Sequence, residues 1–171
     1  MEFTFDEEQG IIIDRTTGER CLILPKARLE QIFARLIDLF QSGAQVILTE
    51  AFKAAGRWHG NELPQEARAD KASFLKSAVQ RFRNAGFGKI EIVEFKPETS
   101  EFRFRIWNSL FAEMIHDGST YCNLVEAYVS GLYEQLIGVT PETQKTKCAG
   151  KNDPYCEWCF CLPSKRRTRS T

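Results

Sequence analysis

The apolar residues of this chain switch repeatedly between a helical and a strand period, and that alternation limits the folds open to it. From Leu29 to Phe40 they fall at Leu29, Ile32, Phe33, Leu36, Ile37 and Phe40, intervals of three and four that mark one face of a helix. Gly43 is expected to end that helix. A second helix is predicted over residues 44–58, closed by an aromatic corner at Arg57-Trp58-His59 between Gly56 and Gly60, and a third over residues 66–84. The pattern then changes. Ile90, Val93 and Phe95 read as one strand, and Phe102, Phe104 and Ile106 alternate with Arg103, Arg105 and Trp107 in a second, as a sheet with one buried face requires. A helix follows over residues 122–137. Gly131 sits inside it, where a glycine costs about 1 kcal/mol against alanine unless close packing compensates.

Two short aliphatic runs, residues 10–14 and 21–24, predict a hairpin ahead of the helices, with Pro25 opening the first of them. Residues 143–148 and 155–162 read as a closing pair of strands around the turn at 149–154. The order predicts an α+β protein, an antiparallel sheet with helices packed mainly on one face. Its 171 residues suit one domain, residues 1–162, followed by a disordered tail at 163–171 that holds Lys165, Arg166, Arg167 and Arg169.

The 23 basic and 23 acidic residues balance, which argues against nucleic acid as the partner. No apolar run approaches a membrane span, and the acidic start carries no signal peptide, so a cytoplasmic protein is expected. Four of the six cysteines, Cys148, Cys156, Cys159 and Cys161, fall within fourteen positions, a clustering that points to metal or thiol chemistry before disulfides. Cys122 opens the last helix, Cys148 ends one closing strand and Cys156 begins the other, so the turn between them can gather three thiols for a tetrahedral ion. His116, Glu142, Cys159 and Cys161 are candidates for a fourth position. Strand alternation turns Cys156 and Cys159 to opposite faces unless a bulge intervenes. Small core thiols and redox use remain open beside the metal.

Trp58 and His59 could meet a planar guest by stacking and one hydrogen bond. The aromatic stretch Phe104, Trp107, Phe111 and Met114 would line a pocket, with Tyr128 and Leu132 as facing partners, or simply fill the core. His116-Asp117 is the one pair suited to acid–base work, and it also reads as ordinary turn chemistry. No phosphate loop, dinucleotide fingerprint or nucleophile elbow occurs, so no nucleotide cofactor is expected and the case for an enzyme is weak.

The segment from Tyr121 to Gly131, with Tyr128 and Gly131 in helical register, followed by Cys148-Ala149-Gly150-Lys151-Asn152-Asp153-Pro154-Tyr155-Cys156-Glu157-Trp158, resembles the C-terminal motif of the 4-vinyl reductase domain family. Ala55-Gly56-Arg57-Trp58-His59-Gly60 and Asn108-Ser109 are similar to its upstream elements. The resemblance implies a fold like the vesicle-tethering TRAPP subunits, a homodimer, and an apolar ligand pocket. It also implies a zinc ion held by three cysteines, matched by Cys122, Cys148 and Cys156, and a glutamate. At the glutamate's position this chain has Lys145, so Cys159, Cys161, His116 or Glu142 would have to replace it, with the paired extra cysteines preferred. The function expected is binding or sensing of a hydrophobic, aromatic or tetrapyrrole-like molecule, with any signal passed to a separate regulator or enzyme. An accessory protein presenting substrate in tetrapyrrole or aromatic metabolism, and a tethering scaffold, stand as alternatives.

Overall fold

A computed structural model describes residues 3–15, 18–116 and 119–163, without the side chains of residues 115, 116, 119 and 120. The basic tail from residue 164, Asp117 and the His116 side chain lie outside the described residues. The chain opens with three short antiparallel strands, β1 (Phe3–Asp6), β2 (Ile11–Asp14) and β3 (Arg20–Cys21), in the order β1-β2-β3. The expected hairpin is present, with Ile12 opposite Cys21, but β3 stops at Cys21. Leu22, Ile23 and Leu24 continue outward, 82%, 58% and 39% exposed. Aliphatic content alone does not hold a strand that has no partner on its other side. β1, which the sequence reading missed, occupies the far edge of β2.

Helices α1 (Lys26–Phe40) and α2 (Ser42–Asn61) are separated by Gln41 alone, whose φ is positive at 48° with ψ at −126°. The break therefore falls two residues before Gly43, which sits in the first turn of α2. Nor does α2 end at the Trp58 corner. It runs through both Gly56 and Gly60 to Asn61. A 3-10 turn at Gln65–Arg68 precedes α3 (Lys71–Asn84). The predicted third helix is thus two elements, and Asp70 divides them: its carboxylate accepts from the Ala72 and Ser73 amides at 2.9 Å, satisfying donors that the first turn leaves open.

Strands β4 (Lys89–Lys96) and β5 (Glu101–Trp107) lead into the short α4 (Leu110–Glu113), a two-stranded ribbon of β6 (Ile115–His116) and β7 (Ser119–Thr120), and α5 (Cys122–Ile137). Gly138, at φ 84°, closes α5 in the left-handed conformation that favours glycine there. β8 (Glu142–Lys147) and β9 (Cys156–Cys161) complete a four-stranded antiparallel sheet of order β4-β5-β9-β8.

One face of this sheet carries Phe102, Phe104, Ile106, Trp158 and Phe160, all buried. Phe104 and Trp158 stack at 5.1 Å, and Tyr133 of α5 meets Phe102 and Phe160 from above. Burying each of these side chains contributes about 2 kcal/mol. Against the other side of α5 lies α2, and the crossing is unusually close. A Cβ added to Gly131 would stand 2.0 Å from the Lys53 carbonyl oxygen, and one on Gly56 would stand 2.0 Å from that of Tyr128. The mid-helix glycine of α5 therefore has a packing reason, and a second glycine on α2 shares it. Glu134 spans the same crossing to Lys53 at 2.6 Å and Arg57 at 2.9 Å.

Candidate metal centre and ligand cavity

Three elements bring thiols together. Cys122 is the first residue of α5, Cys148 follows β8, and Cys156 begins β9. The connection between the last two is braced at both ends: the Cys148 amide donates to Asp153 Oδ2 at 2.8 Å, and the Lys151 amide donates to the Cys148 carbonyl at 2.8 Å. Asn152, at φ 70°, turns the chain back. The Cys122 sulfur lies 3.7 Å from that of Cys148 and 3.6 Å from that of Cys156, and all three thiols are buried.

Tetrahedral zinc with sulfur ligands at about 2.3 Å separates those sulfurs by about 3.8 Å, so the cluster has the dimensions of three corners of such a site. The Ala149 amide donates to Cys156 Sγ at 3.2 Å, a bond that would favour a thiolate. The hydrogen bond with Cys122, together with burial, pushes the Cys156 thiol up. A cation is what would let such crowded thiols ionise, and its binding would release their protons.

Among the described residues the group holds no fourth donor. Cys159 and Cys161, preferred from the sequence for that place, do not join it. The pleat turns Cys156, Trp158 and Phe160 inward and Cys159 and Cys161 to the opposite face, where Cys159 bonds the Arg103 side chain and Cys161 Sγ donates to the Glu142 carbonyl at 3.8 Å. Glu142 sits opposite Cys161 at the start of β8, away from the cluster. The neighbour of the thiols from β8 is Lys145, whose Nζ lies 3.7 Å from Cys148 Sγ and 5.1 Å from the Trp158 ring. A cation thus occupies the approach that the resemblance assigns to a carboxylate.

One and two turns beyond Cys122, Val125 and Tyr128 face a cavity of about 290 Å³. Ala51, Phe52 and Ala55 of α2 form a second wall. Phe82, Phe87 and Phe111 close it. Of the pocket residues expected from sequence, Phe111 and Tyr128 border this space. Phe104 and Leu132 border a separate void of about 20 Å³, room for about one water. Met114 is fully buried. Trp58 turns outward and is 56% exposed, about one helical step from the inward-facing His59. Trp107 packs on Tyr155 and donates to Glu91 at 3.2 Å. The walls supplied by Phe52, Phe82 and Val125 were legible only as apolar helix positions. The pair Ala51 and Ala55, small residues one turn apart on α2, was the available sign of space.

His59 is 6% exposed, and its Nδ1 is hydrogen-bonded to the Tyr128 hydroxyl. Its Nε2 is buried without a hydrogen-bond partner among the described residues. Burial, and more weakly the charge of Arg81, push the imidazole down to about 4. Burial pushes the Tyr128 phenol up. Both rings are neutral near pH 7. Because the folded imidazole ionises below its ordinary value near 6.5, the unfolded chain takes up this proton first as pH falls. The stability linked to His59 is therefore complete above pH 6.5 and lost between there and pH 4. In chemical denaturation across that window, the double variant His59→Leu/Tyr128→Phe should lose a slope of about 1.4 kcal/mol per pH unit that the natural chain shows. Equal slopes would mean that His59 ionises freely.

No family model matches this chain. An uncharacterized protein of Methanocaldococcus jannaschii is 25% identical over 97 residues, which make up 56% of this chain and 55% of that protein. The match thus spans about half the length of that relative. Several solved structures share the fold. The phenol-responsive sensory domain of the transcription activator PoxR, crystallised with phenol, superposes with a TM-score of 0.76 at 14% identity, covering 94% of this chain and 84% of that one. Subunit 3 of the trafficking protein particle complex from Naegleria fowleri, covalently bound to palmitic acid, gives 0.60 at 13% identity, with 81% and 95% covered. A vinyl-4-reductase family protein from Methanocaldococcus jannaschii gives 0.57 at 13%, with 84% and 85% covered. The α+β arrangement and its TRAPP-like fold are common to them.

Proposed function

We propose that this protein binds a small, hydrophobic aromatic molecule between α2 and α5, and that the three cysteines hold a structural zinc ion that anchors one wall of the site. The observation that carries this reading is the cavity of about 290 Å³ walled by four phenylalanines and Tyr128. Aromatic faces line it, and its volume suits one or two rings, since a cavity of about 150 Å³ accepts benzene. A tetrapyrrole, with four rings and a macrocycle, needs several times that space. PoxR's phenol supports the aromatic choice, and a non-catalytic role agrees with its sensory domain.

Residues Cys122, Cys148 and Cys156 would hold the zinc, which would supply charge neutralisation and a cross-link. Since Cys122 and the cavity residues Val125 and Tyr128 share α5, fixing the start of that helix fixes the wall. The bound state would then be read by a separate protein, a regulator or an enzyme. The homodimer implied by the resemblance would use the apolar side chains that α1 and α2 expose, Ile32, Leu39, Phe40, Val46 and Ile47.

Calorimetric titration with one-ring aromatics tests the proposal. Saturable binding with a negative heat-capacity change is expected, weakened by filling the cavity with Ala55→Phe. Absence of saturation by any one- or two-ring compound would remove the binding function. Sedimentation of the same sample would read the dimer.

A further inference from the structure

The outer face of the four-stranded sheet carries thiols apart from the buried triad. Of the six cysteines, Cys21, Cys159 and Cys161 are the partly exposed ones, and their sulfurs are held differently. Cys21 Sγ donates to the Glu19 carbonyl at 3.7 Å and Cys161 Sγ to the Glu142 carbonyl at 3.8 Å, a role that requires the protonated thiol. Cys159 is hydrogen-bonded to the Arg103 side chain. A guanidinium has only donors to offer, so the Cys159 sulfur is the acceptor there. A cation at the sulfur is the surrounding that reactive cysteines share.

Strand register accounts for the difference. Glu94, Arg103, Cys159 and Gln144 form one row across β4, β5, β9 and β8, and Lys96, Glu101, Cys161 and Glu142 belong to the next. Burial, and then the carboxylates of Glu142 and Glu101, push the Cys161 thiol up. The two rows border a groove of about 210 Å³, larger than the cavity of about 150 Å³ that accepts benzene. Its walls hold two cations, Lys96 and Arg103, and two carboxylates, Glu94 and Glu101.

We propose that Cys159 is a site of reversible S-thiolation, and that the groove takes up a zwitterionic thiol of the amino-acid or small-peptide type as a mixed disulfide. The Cys159 thiolate attacks one sulfur of a low-mass disulfide. A bond forms between them as the disulfide's own S–S bond breaks, and the second half leaves as a thiolate that takes a proton from water. The low-mass disulfide is the oxidant: the Cys159 sulfur is oxidised and the departing sulfur reduced. Arg103, released from the thiol, pairs with the adduct's carboxylate, while Glu94 and Glu101 face its ammonium group. Cys161 does not displace the adduct. Two positions apart on one strand, the cysteines stand about 6.6 Å from each other. The pleat keeps their Cβ atoms parallel, well beyond the separation of about 4 Å that a disulfide spans. Because Cys159 faces away from Trp158 and Phe160, the reaction needs no opening of the core.

Protein purified without chelator is treated at neutral pH with oxidised glutathione and, in parallel, with cystamine, whose halves carry an ammonium group and no carboxylate. Intact mass and peptide mapping read the adducts. Oxidised glutathione should modify Cys159 about tenfold faster than Cys21 or Cys161, and excess reducing thiol should remove the adduct. Arg103→Gln, a change at an exposed side chain, should slow the reaction about tenfold, the worth of one charge-assisted hydrogen bond. It should also erase the preference for glutathione over cystamine. First modification at another cysteine, no adduct at all, or an unchanged rate in Arg103→Gln would overturn the site. Equal rates with the two reagents in the natural chain would overturn the zwitterionic guest, and conversion to a Cys159–Cys161 disulfide would overturn the lasting adduct.

Discussion

Gly131→Ala is expected to destabilise the protein by about 3 kcal/mol or more, a fall in melting temperature of roughly 6–12 °C for a chain of this size. The new methyl carbon would stand 2.0 Å from the Lys53 carbonyl oxygen and 2.9 Å from the Arg57 amide nitrogen. Both are backbone atoms of α2, so no rotamer change relieves the contact. The helices would have to separate by roughly 1.5 Å to restore ordinary contact. Separation would also stretch the bonds from Glu134 to Lys53 and Arg57 and draw Phe52 and Ala55 away from the cavity. Gly56→Ala meets the Tyr128 carbonyl at the same 2.0 Å and should behave alike. Gly60→Ala makes the useful contrast, because its added carbon would stand 2.9 Å from Gln135 Cβ and 3.2 Å from the Phe74 ring, a far smaller overlap than at 2.0 Å, and a shift of a few tenths of an ångström relieves it. Thermal or urea unfolding of the three variants measures this. A Gly131→Ala protein melting within 2 °C of the natural one would show that the helices do not cross so closely.

Cys148→Ser is expected to abolish stoichiometric metal retention and, with zinc present at a thousandfold over its dissociation constant, to remove about 4 kcal/mol of metal-linked stability. Serine keeps the shape but replaces a thiolate by a hydroxyl that does not ionise near neutrality, leaving two sulfur ligands where there were three. Cys159→Ser and Cys161→Ser should retain the metal, since those side chains face away from Cys156. Elemental analysis of protein purified without chelator reads all three. Unchanged zinc in Cys148→Ser would end the assignment of the cluster, and zinc loss in Cys159→Ser would bring the CxxC pair into it. Lys145→Glu extends the series: a carboxylate beside Cys148 in place of the ammonium should raise zinc affinity.

Much of the fold was legible in the residues because periodicity reports which face of an element is buried. The alternation of Phe102, Phe104 and Ile106 placed β5 against the core, and the 3.6-residue pattern located α1, α3 and α5. Errors came where a local signal had to compete. Leu22, Ile23 and Leu24 look like a strand and find no partner. Gly43 looks like a helix end, but the chain breaks at Gln41, with its positive φ, instead. The corner at Trp58 looks like the end of α2, yet the helix runs on to Asn61, and Gly56 inside it lets the backbone of α5 pass.

The cysteine triad shows the same division. Separations of 26 and eight residues, with a helix start and a strand pair between, marked out Cys122, Cys148 and Cys156. The same alternation argument that put Cys159 across the strand from Cys156 was already available, and the structure follows it. That Lys145 would stand beside Cys148, and no carboxylate with it, required the strand register of β8 on β9.

The sequence by itself determined the main helices, the buried face of the sheet and the grouping of the three thiols, because each follows from the order and spacing of neighbouring residues. Only the tertiary structure decided which phenylalanines touch one another and which border open space, and that Tyr128 meets His59 across 69 positions. A cavity has no residue type of its own. It is the volume left where α2, α4 and α5 fail to close on each other, and side chains that fill a core have the same chemistry as those that surround a void.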